Sequence, residues 1–190
     1  MLKRILFIIA LSLSVFSYGQ GFVYSENIQN TFFGVKFGSS KEEVIKAFEK
    51  EGLYFVEEFS TRDELTFISS AILNGEIEAK VSFGGMFWNG VIANFSNGKF
   101  YKIDFQHNPE YKEMALKRLE SVISTLSKRY KMKELSITTT DIYKWYSAES
   151  KDGKVVTVQC CKSERSGGEI MYYVNLEYLD LTLFNPNDDF

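Results

Sequence analysis

The stretch from Asn74 to Phe100 reads NGEIEAKVSFGGMFWNGVIANFSNGKF. It contains three Asn-Gly pairs, at Asn74-Gly75, Asn89-Gly90 and Asn97-Gly98. Asn-Gly is the strongest short-range signal for a two-residue β-hairpin turn, because both central residues of that turn take positive φ. The three pairs therefore predict four consecutive antiparallel strands.

The positions of these turns also predict which side chains share a face of the sheet. With a turn at each Asn-Gly pair, Ile68 lies opposite Val81, Phe87 lies opposite Ile92, and Ile92 lies opposite Ile103. A slip of one residue would move every side chain to the other face. Without any bulge, this register predicts one apolar face, made of Ile68, Ile72, Ile77, Ala79, Val81, Phe83, Phe87, Ile92, Tyr101, Ile103 and Phe105.

The opposite face of these strands is the candidate binding surface. An antiparallel sheet usually has one polar, solvated face, so a second apolar face indicates either a partner or a covering layer. Large apolar side chains with a charged rim have the composition of interface hot spots. The candidate binding residues are Met86, Trp88, Val91, Phe95, Phe100 and Lys102. The alternative is that the second half of the chain covers this face.

Two helices are predicted on either side of this strand-rich region. Ser40 and Glu43 form a capping box, and Gly52 ends the first helix in a left-handed conformation. Asn108 caps the second helix and Pro109 is its first residue. The apolar residues of the second helix recur at helical spacing to about Lys131.

Further strands are predicted before and after these helices, at 31–37, 53–59, 137–147, 155–161 and 169–181. The fold class is therefore α+β, with two helices packed on antiparallel β-sheet. The order of elements also suggests a degenerate tandem of helix-plus-meander units, with halves at 30–107 and 108–184.

The N-terminal segment has the form of a secretory signal peptide. Lys3 and Arg4 precede an apolar stretch that is too short to span a membrane, and Ser17 and Gly19 suit a cleavage site. We therefore expect a signal peptide at 1–19, a single secreted domain at 20–190, and a periplasmic or extracellular location. Contact with the membrane is expected only through the signal peptide.

The composition limits the classes of partner and cofactor. The net charge is −3 with no basic block, which argues against nucleic acid as a partner. The cysteines, Cys160 and Cys161, are neighbours and would point to opposite faces of a strand. Ordinary strand residues are therefore favoured over a strained redox-active disulfide. We expect no cofactor and no metal site.

The candidates for catalysis are few. His107 is the single histidine, so a site with several histidine ligands is excluded. His107 could pair with Cys160 or a serine in a hydrolase, but no nucleophile motif surrounds it. We expect His107 to help satisfy the start of the second helix. The chain is accordingly predicted not to be an enzyme.

The run FFGVKFGSSKEEVIKAFEKEGL, from Phe32 to Leu53, resembles the opening of units in the β-lactamase-inhibitor-protein-like group. The outer-membrane assembly lipoproteins of the BamE type share that design of a strand, a capped short helix and antiparallel strands. The signal peptide and the length also look like those of secreted proteins of Bacteroides-type bacteria. The resemblance implies a binding role on the open face of the sheet. No lipobox cysteine follows the cleavage site, so the lipid anchor of that group is not expected.

These observations predict a non-enzymatic binding module that holds an envelope or extracellular protein or peptide on an aromatic sheet face. The first alternative is a carrier of a small apolar ligand, enclosed between sheet and helices. A hydrolase that uses His107 is the last alternative.

Overall fold

The computed structural model describes residues 23–69, 81–136, 141–165 and 167–185. It contains two α-helices, α1 (Lys41–Lys50) and α2 (Lys112–Leu126), and a short 3-10 helix at Glu57–Phe59. The strands are β1 (Thr31–Phe32), β2 (Val35–Lys36), β3 (Leu53–Phe55), β4 (Glu64–Ser69), β5 (Val81–Phe83), β6 (Met86–Trp88), β7 (Gly90–Ser96), β8 (Lys99–Gln106), β9 (Lys133–Glu134), β10 (Ile142–Glu149), β11 (Lys154–Glu164) and β12 (Ile170–Asp180). The predicted α+β class with an antiparallel sheet is confirmed.

Eight of the strands form one antiparallel sheet in the order β3-β4-β7-β8-β12-β11-β10-β9. The first helix precedes β3, β4, β7 and β8, which form one half of this sheet. The second helix precedes β9 to β12, which form the other half. The two sets meet where β8 pairs with β12, which are the last strands of their halves. The chain is therefore a tandem of helix-plus-meander units that share a single sheet.

One face of the sheet carries both helices and the core. A row of directly paired residues crosses the strands on this face: Phe55, Phe67, Val91, Phe105, Leu176, Val158 and Tyr146. Val44 and Phe48 of α1 and Leu119 and Val122 of α2 belong to the same buried cluster as this row. We call this the helix side of the sheet, and its opposite the helix-free face.

The helix starts follow local sequence signals to different degrees. The capping box of α1 is confirmed, with Ser40 N–H donating to Glu43 at 2.8 Å, and Gly52 has a φ of +77° after the helix. The second helix begins at Lys112, three residues later than the Pro109 start predicted. The backbone of Glu110 instead exchanges two hydrogen bonds with Tyr172 of β12, which holds this segment extended.

The single strand predicted at 31–37 is wrong, because the segment is a hairpin of β1 and β2. Phe33 and Gly34 occupy its turn with φ of +51° and +81°. Positive φ is unfavourable for phenylalanine, so tertiary packing must stabilise this turn. The Phe33 ring packs against Phe48 at 5.0 Å and Phe105 at 6.1 Å between centroids.

The turn predicted at Asn89-Gly90 is also wrong, because the chain turns at Gly84-Gly85 instead. Both glycines have positive φ, and Val81 pairs with Trp88 across the β5–β6 hairpin. Asn89 continues into β7, and its N–H donates to the Gln106 carbonyl at 2.8 Å. The changed turn reverses the faces in β6, so that Trp88 is 1% exposed and Phe87 is 59% exposed.

The turn predicted at Asn97-Gly98 is confirmed, with φ of +49° and +70°. The pairing of β7 with β8 then shifts by one residue, since Phe95 pairs with Phe100 but Asn94 pairs with Lys102. The bulge places Ala93 opposite Ile103 and Ile92 opposite Asp104, which corrects the predicted bulge-free pairing of Ile92 with Ile103.

The remaining predicted strands lie where the structure has strands, but their lengths differ. The strand predicted at 53–59 ends at Phe55, where the 3-10 helix follows. Those predicted at 137–147, 155–161 and 169–181 correspond to β10, β11 and β12, and Gly153 forms the expected turn with a φ of +78°.

Several predicted features lie outside the described residues. They are the signal peptide at 1–19, the Asn74-Gly75 turn, and Ile72, Ile77 and Ala79 of the predicted apolar face. Among the helices that are described, none is both long enough and apolar enough to span a membrane.

The reversed face in β6 makes a direct prediction about stability. Trp88→Ala removes a fully buried indole and should lower the free energy of unfolding by about 3–5 kcal/mol. Phe87→Ala, one residue away on the exposed face, should change it by less than about 0.5 kcal/mol. Urea denaturation of both variants measures the difference. Equal losses, or a larger loss for Phe87→Ala, would contradict the observed register.

Candidate functional site

Four of the candidate binding residues are in the core. Trp88, Val91, Phe95 and Phe100 are each at most 4% exposed and lie on the helix side. Their expected position on an open surface is therefore wrong, because the Gly84-Gly85 turn and the bulge between β7 and β8 turn them into the buried cluster to which α1 and the β1–β2 hairpin also contribute. The Trp88 indole donates to the Phe83 carbonyl at 3.2 Å and packs on Phe105.

The other two candidates lie apart from this group. Met86 is half-buried at the edge of the core. Lys102 alone is on the helix-free face, where its Nζ lies 3.0 Å from Asp104 Oδ2. A partner on that face can contact Lys102 but not the buried aromatic side chains.

The helix-free face is polar where the two halves meet. Asp104 of β8 pairs directly with Glu177 of β12, and this is the middle of the five residue pairs that join these strands. Further polar residues surround them in neighbouring register positions. We call the whole group the junction cluster: Asn94, Lys102, Asp104, Gln106, Thr157, Gln159, Asn175 and Glu177.

Side-chain hydrogen bonds join β7 to β8 and β11 to β12 within the cluster. Asp104 Oδ2 accepts from Asn94 Nδ2 at 2.8 Å and from Lys102. Thr157 donates to Glu177 Oε2 at 3.2 Å. Asp104 is 6% exposed, whereas Lys102 and Glu177 are half-buried and remain accessible to a ligand. The cluster is thus a charged site with a buried floor.

Burial and neighbouring charges set the protonation of this site. Burial raises the pKa of Glu177 to about 7, with the Lys102 ammonium opposing and the Asp104 carboxyl adding to the rise. Burial alone would lower the pKa of Lys102, but Asp104 and Glu177 outweigh it and hold the pKa above its ordinary value. Lys102 therefore stays charged while Glu177 titrates near neutral pH.

Two acceptor oxygens of the cluster have no hydrogen-bond partner among the described residues. They are Asp104 Oδ1 and Asn175 Oδ1, and both are buried. Asn175 pairs with Gln106, so it is a diagonal neighbour of Asp104 on the same face. An unpaired buried acceptor costs about 1–3 kcal/mol, so two of them in one place indicate a missing donor.

A small apolar cluster flanks this polar centre on the same face. Ile142, Trp145 and Cys161 form it, with Leu135 and Tyr173 packed against them. Trp145 pairs with Gln159, and Tyr173 pairs with Cys161. We call this the Trp145 cluster. On the same helix-free face, Tyr54 lies in the edge strand β3 at the other end of the sheet and is 42% exposed.

The contacts of His107 include two backbone carbonyl oxygens. The His107 N–H donates to the Val174 carbonyl at 3.1 Å, and its Nδ1 lies 3.0 Å from the Asn108 carbonyl oxygen. Cys160 is buried on the helix side, and burial raises the pKa of its thiol to about 11. A thiol with this pKa is a poor nucleophile at neutral pH.

The two cysteines point to opposite faces of β11, as the sequence predicted. Cys160 is in the core, Cys161 is in the Trp145 cluster, and both are free thiols. Burial raises the pKa of Cys161 to about 12.

A separate cleft of about 570 Å³ lies between the N-terminal segment, the end of α2 and the β10–β11 turn. Its lining is mostly polar, which does not suit a small apolar ligand: Asn27, Ile28, Gln29, Asn30, Arg129, Tyr130, Asp152 and Lys154. Within the described ranges, no group of three or more His, Cys, Asp or Glu side chains is arranged to hold a metal ion.

The junction cluster was not predicted from the sequence, although the alternation of polar and apolar residues in two strands is a signal for it. Lys102, Asp104 and Gln106 alternate with apolar residues in β8, and Asn175 and Glu177 do so in β12. Alternation shows that each strand has one polar face. It does not show that these two strands are neighbours, which depends on a contact between distant parts of the chain.

Comparison with protein-family models, with curated proteins and with solved structures finds no match to this chain.

The titration of Glu177 predicts a pH-dependent stability. Its pKa rises from 4.5 to about 7 on folding, so between these values the folded state binds more protons than the unfolded state. The free energy of unfolding should therefore fall as the pH rises from about 4.5 to about 7. Relative to Glu177→Gln, we expect a loss of about 1–3 kcal/mol in urea denaturation.

The exposed Glu120→Gln variant of α2 is the control and should keep the wild-type pH profile. A wild-type profile parallel to that of Glu177→Gln would contradict the burial of this carboxyl.

The raised thiol pKa values predict unreactive cysteines. In the folded protein at about pH 8, Cys160 and Cys161 should resist alkylation by iodoacetamide, since little thiolate is present. Both should react after unfolding in urea, and mass spectrometry counts the adducts. Rapid labelling of the folded protein, or an intramolecular disulfide, would restore the redox interpretation.

Proposed function

We propose that this chain is a secreted, non-enzymatic binding module of the cell envelope that holds a protein or peptide segment on its helix-free sheet face. The observation that carries the proposal is the junction cluster. It places buried acceptors without donors on the side of the sheet opposite both helices.

The composition of the helix-free face supports a macromolecular partner. Exposed or half-buried aromatic side chains lie on both flanks of the polar centre, at Tyr54 on one side and Tyr173 on the other. Tyrosine is enriched at protein interfaces and among their hot spots. A peptide laid across the strands would reach the Trp145 cluster and the junction cluster together.

The tandem layout supports the resemblance to the β-lactamase-inhibitor-protein-like group as part of this proposal. In both halves a helix precedes a four-stranded antiparallel meander, and the open side of the combined sheet is free of helices in the described ranges. The binding role is therefore kept from the sequence prediction, but of the residues predicted to carry it only Lys102 belongs to the junction cluster.

Site-specific photo-crosslinking tests which face meets the partner. A photoreactive phenylalanine analogue replaces Tyr173 or Tyr54 on the helix-free face, or Met114 on α2 as the control. After irradiation in the native envelope, we expect the same adduct from the first two positions and none from Met114. Adducts from Met114 alone, or from all three positions equally, would contradict the proposed face.

The purified partner then gives a quantitative prediction. Tyr173→Ala should weaken its binding at least about tenfold, as expected for an interface aromatic residue. Tyr172→Ala is the matched control, because it is the adjacent tyrosine and packs on the helix side against Tyr143 at 5.6 Å. Isothermal titration calorimetry measures both affinities, and equal losses for the two variants would contradict the proposal.

A further inference from the structure

We infer that the junction cluster binds a cationic side chain of the partner, an arginine guanidinium or a lysine ammonium, between Asp104 Oδ1 and Asn175 Oδ1. This inference deepens the proposed function, since it names the chemical group that the partner places at the centre of the helix-free face. The ligand class follows from the chemistry of the two unpaired oxygens.

Both oxygens are acceptors, so the group that satisfies them must donate at least two hydrogen bonds. They belong to diagonal neighbours on β8 and β12, which are about 7–8 Å apart in an antiparallel pair, with their Cβ atoms somewhat closer. One nitrogen group placed between the two side chains can reach both, because each charge-assisted hydrogen bond spans about 2.8 Å. A guanidinium or an ammonium has enough donors, and neither has an acceptor that would need a partner.

The charge of the site favours a cation over a neutral donor. Lys102 contributes one positive charge against the carboxyl groups of Asp104 and Glu177. With Glu177 ionised, the cluster carries an excess of one negative charge in a half-buried location. Coulombic attraction is stronger there than in water, so a cation gains more than an amide of equal shape.

Glu177 offers a second donor that competes with the ligand. When its carboxyl is protonated, it can donate to Asp104, and the hydrogen bond between these groups contributes to its raised pKa. In the described chain, the charged and titratable groups that interact with Glu177 are Lys102 and Asp104 of β8 and Cys161 of β11. A bound cation replaces the proton on Glu177, so binding releases a proton to solvent.

The position of the cluster explains why it can receive a side chain. Asp104 and Asn94 form a buried floor, whereas Lys102, Gln106, Asn175 and Glu177 are half-buried around it. Both acceptor oxygens are themselves buried, so a side chain that enters from the helix-free face meets them only when the half-buried side chains above them move aside. The aliphatic part of an arginine or lysine would lie among the half-buried residues at the rim.

Defined peptides test the inference without knowledge of the natural partner. Acetyl-Gly-Arg-Gly-amide and acetyl-Gly-Lys-Gly-amide are titrated into the ¹⁵N-labelled protein and followed by NMR. The matched control is acetyl-Gly-citrulline-Gly-amide, which has the shape of the arginine peptide without its charge. We expect at least one cationic peptide to shift the side-chain amides of Asn175, Gln106 and Gln159, and citrulline to bind at least about tenfold more weakly.

Substitutions distinguish peptide binding at the junction cluster from nonspecific attraction of a cationic peptide to an acidic protein. Asn175→Ala should weaken the peptide about fivefold or more without loss of folding, since the described residues donate no hydrogen bond to its oxygen. Asn27→Ala, at an exposed position in the separate cleft, is the control and should bind as the wild type does.

The pH profile provides a readout that a general charge effect would not give. Binding to the wild type should weaken about tenfold from pH 8 to about pH 6, while binding to Glu177→Gln should change little. Citrulline binding as tightly as arginine would overturn the inference, and so would an unchanged affinity of Asn175→Ala or shifts that map elsewhere on the surface.

The two proposals fail in different ways. If a partner crosslinks at Tyr173 but cationic peptides do not bind the junction cluster, the proposed function stands and this inference is wrong. If cationic peptides bind as described but neither Tyr173 nor Tyr54 gives an adduct, the cation site stands and the proposed macromolecular function is wrong.

Discussion

The pairing of β8 with β12 is the contact on which the rest of the molecule depends. These strands end the two halves, and their five paired positions turn two four-stranded meanders into one sheet. Phe105 and Leu176 meet on the helix side and join the cores beneath both helices. Asp104 and Glu177 meet on the other side, so the same contact that completes the core also creates the junction cluster.

Local signals predicted the elements better than the faces. The Ser40 capping box and the Asn97-Gly98 turn need only residues close in sequence, and both are as expected. Gly84-Gly85 and Asn89-Gly90 are five residues apart, and each could form a two-residue hairpin turn. The hydrogen bond from the Asn89 N–H to the Gln106 carbonyl, beside the pairing of Gly90 with Gln106, selects between them, since it holds Asn89 and Gly90 against β8. Because strand periodicity is two, this one choice moved Trp88 from the surface to the core.

The aromatic content of the first half has its explanation in this core. Phe32, at the N-terminal hairpin, lies within 6.4 Å of five other ring centroids, including Phe83, Phe105 and Tyr178. Phe83 stacks on Phe105 at 4.1 Å. The two short hairpins, β1–β2 and β5–β6, thus cover the helix side of the sheet with packed aromatic rings. Apolar composition on both faces of the predicted meander therefore indicated a covering layer in this region. The expected cover was the second half of the chain, whereas most of these rings belong to hairpins of the first half and Tyr178 belongs to the second.

The polar face is harder to explain by folding alone. Desolvation of Lys102, Asp104 and Glu177 is costly, and apolar residues of similar volume are often as stable as a buried ion pair. Asn94 and Thr157 recover part of that cost through hydrogen bonds, but Asn175 Oδ1, and Asp104 Oδ1 while Glu177 is ionised, receive none from the described chain. A sheet that needed only stability would gain from apolar residues at these positions. Unpaired acceptors beside a titratable carboxyl, at the centre of the face that neither helix covers, are therefore the feature on which we base the proposal of a ligand.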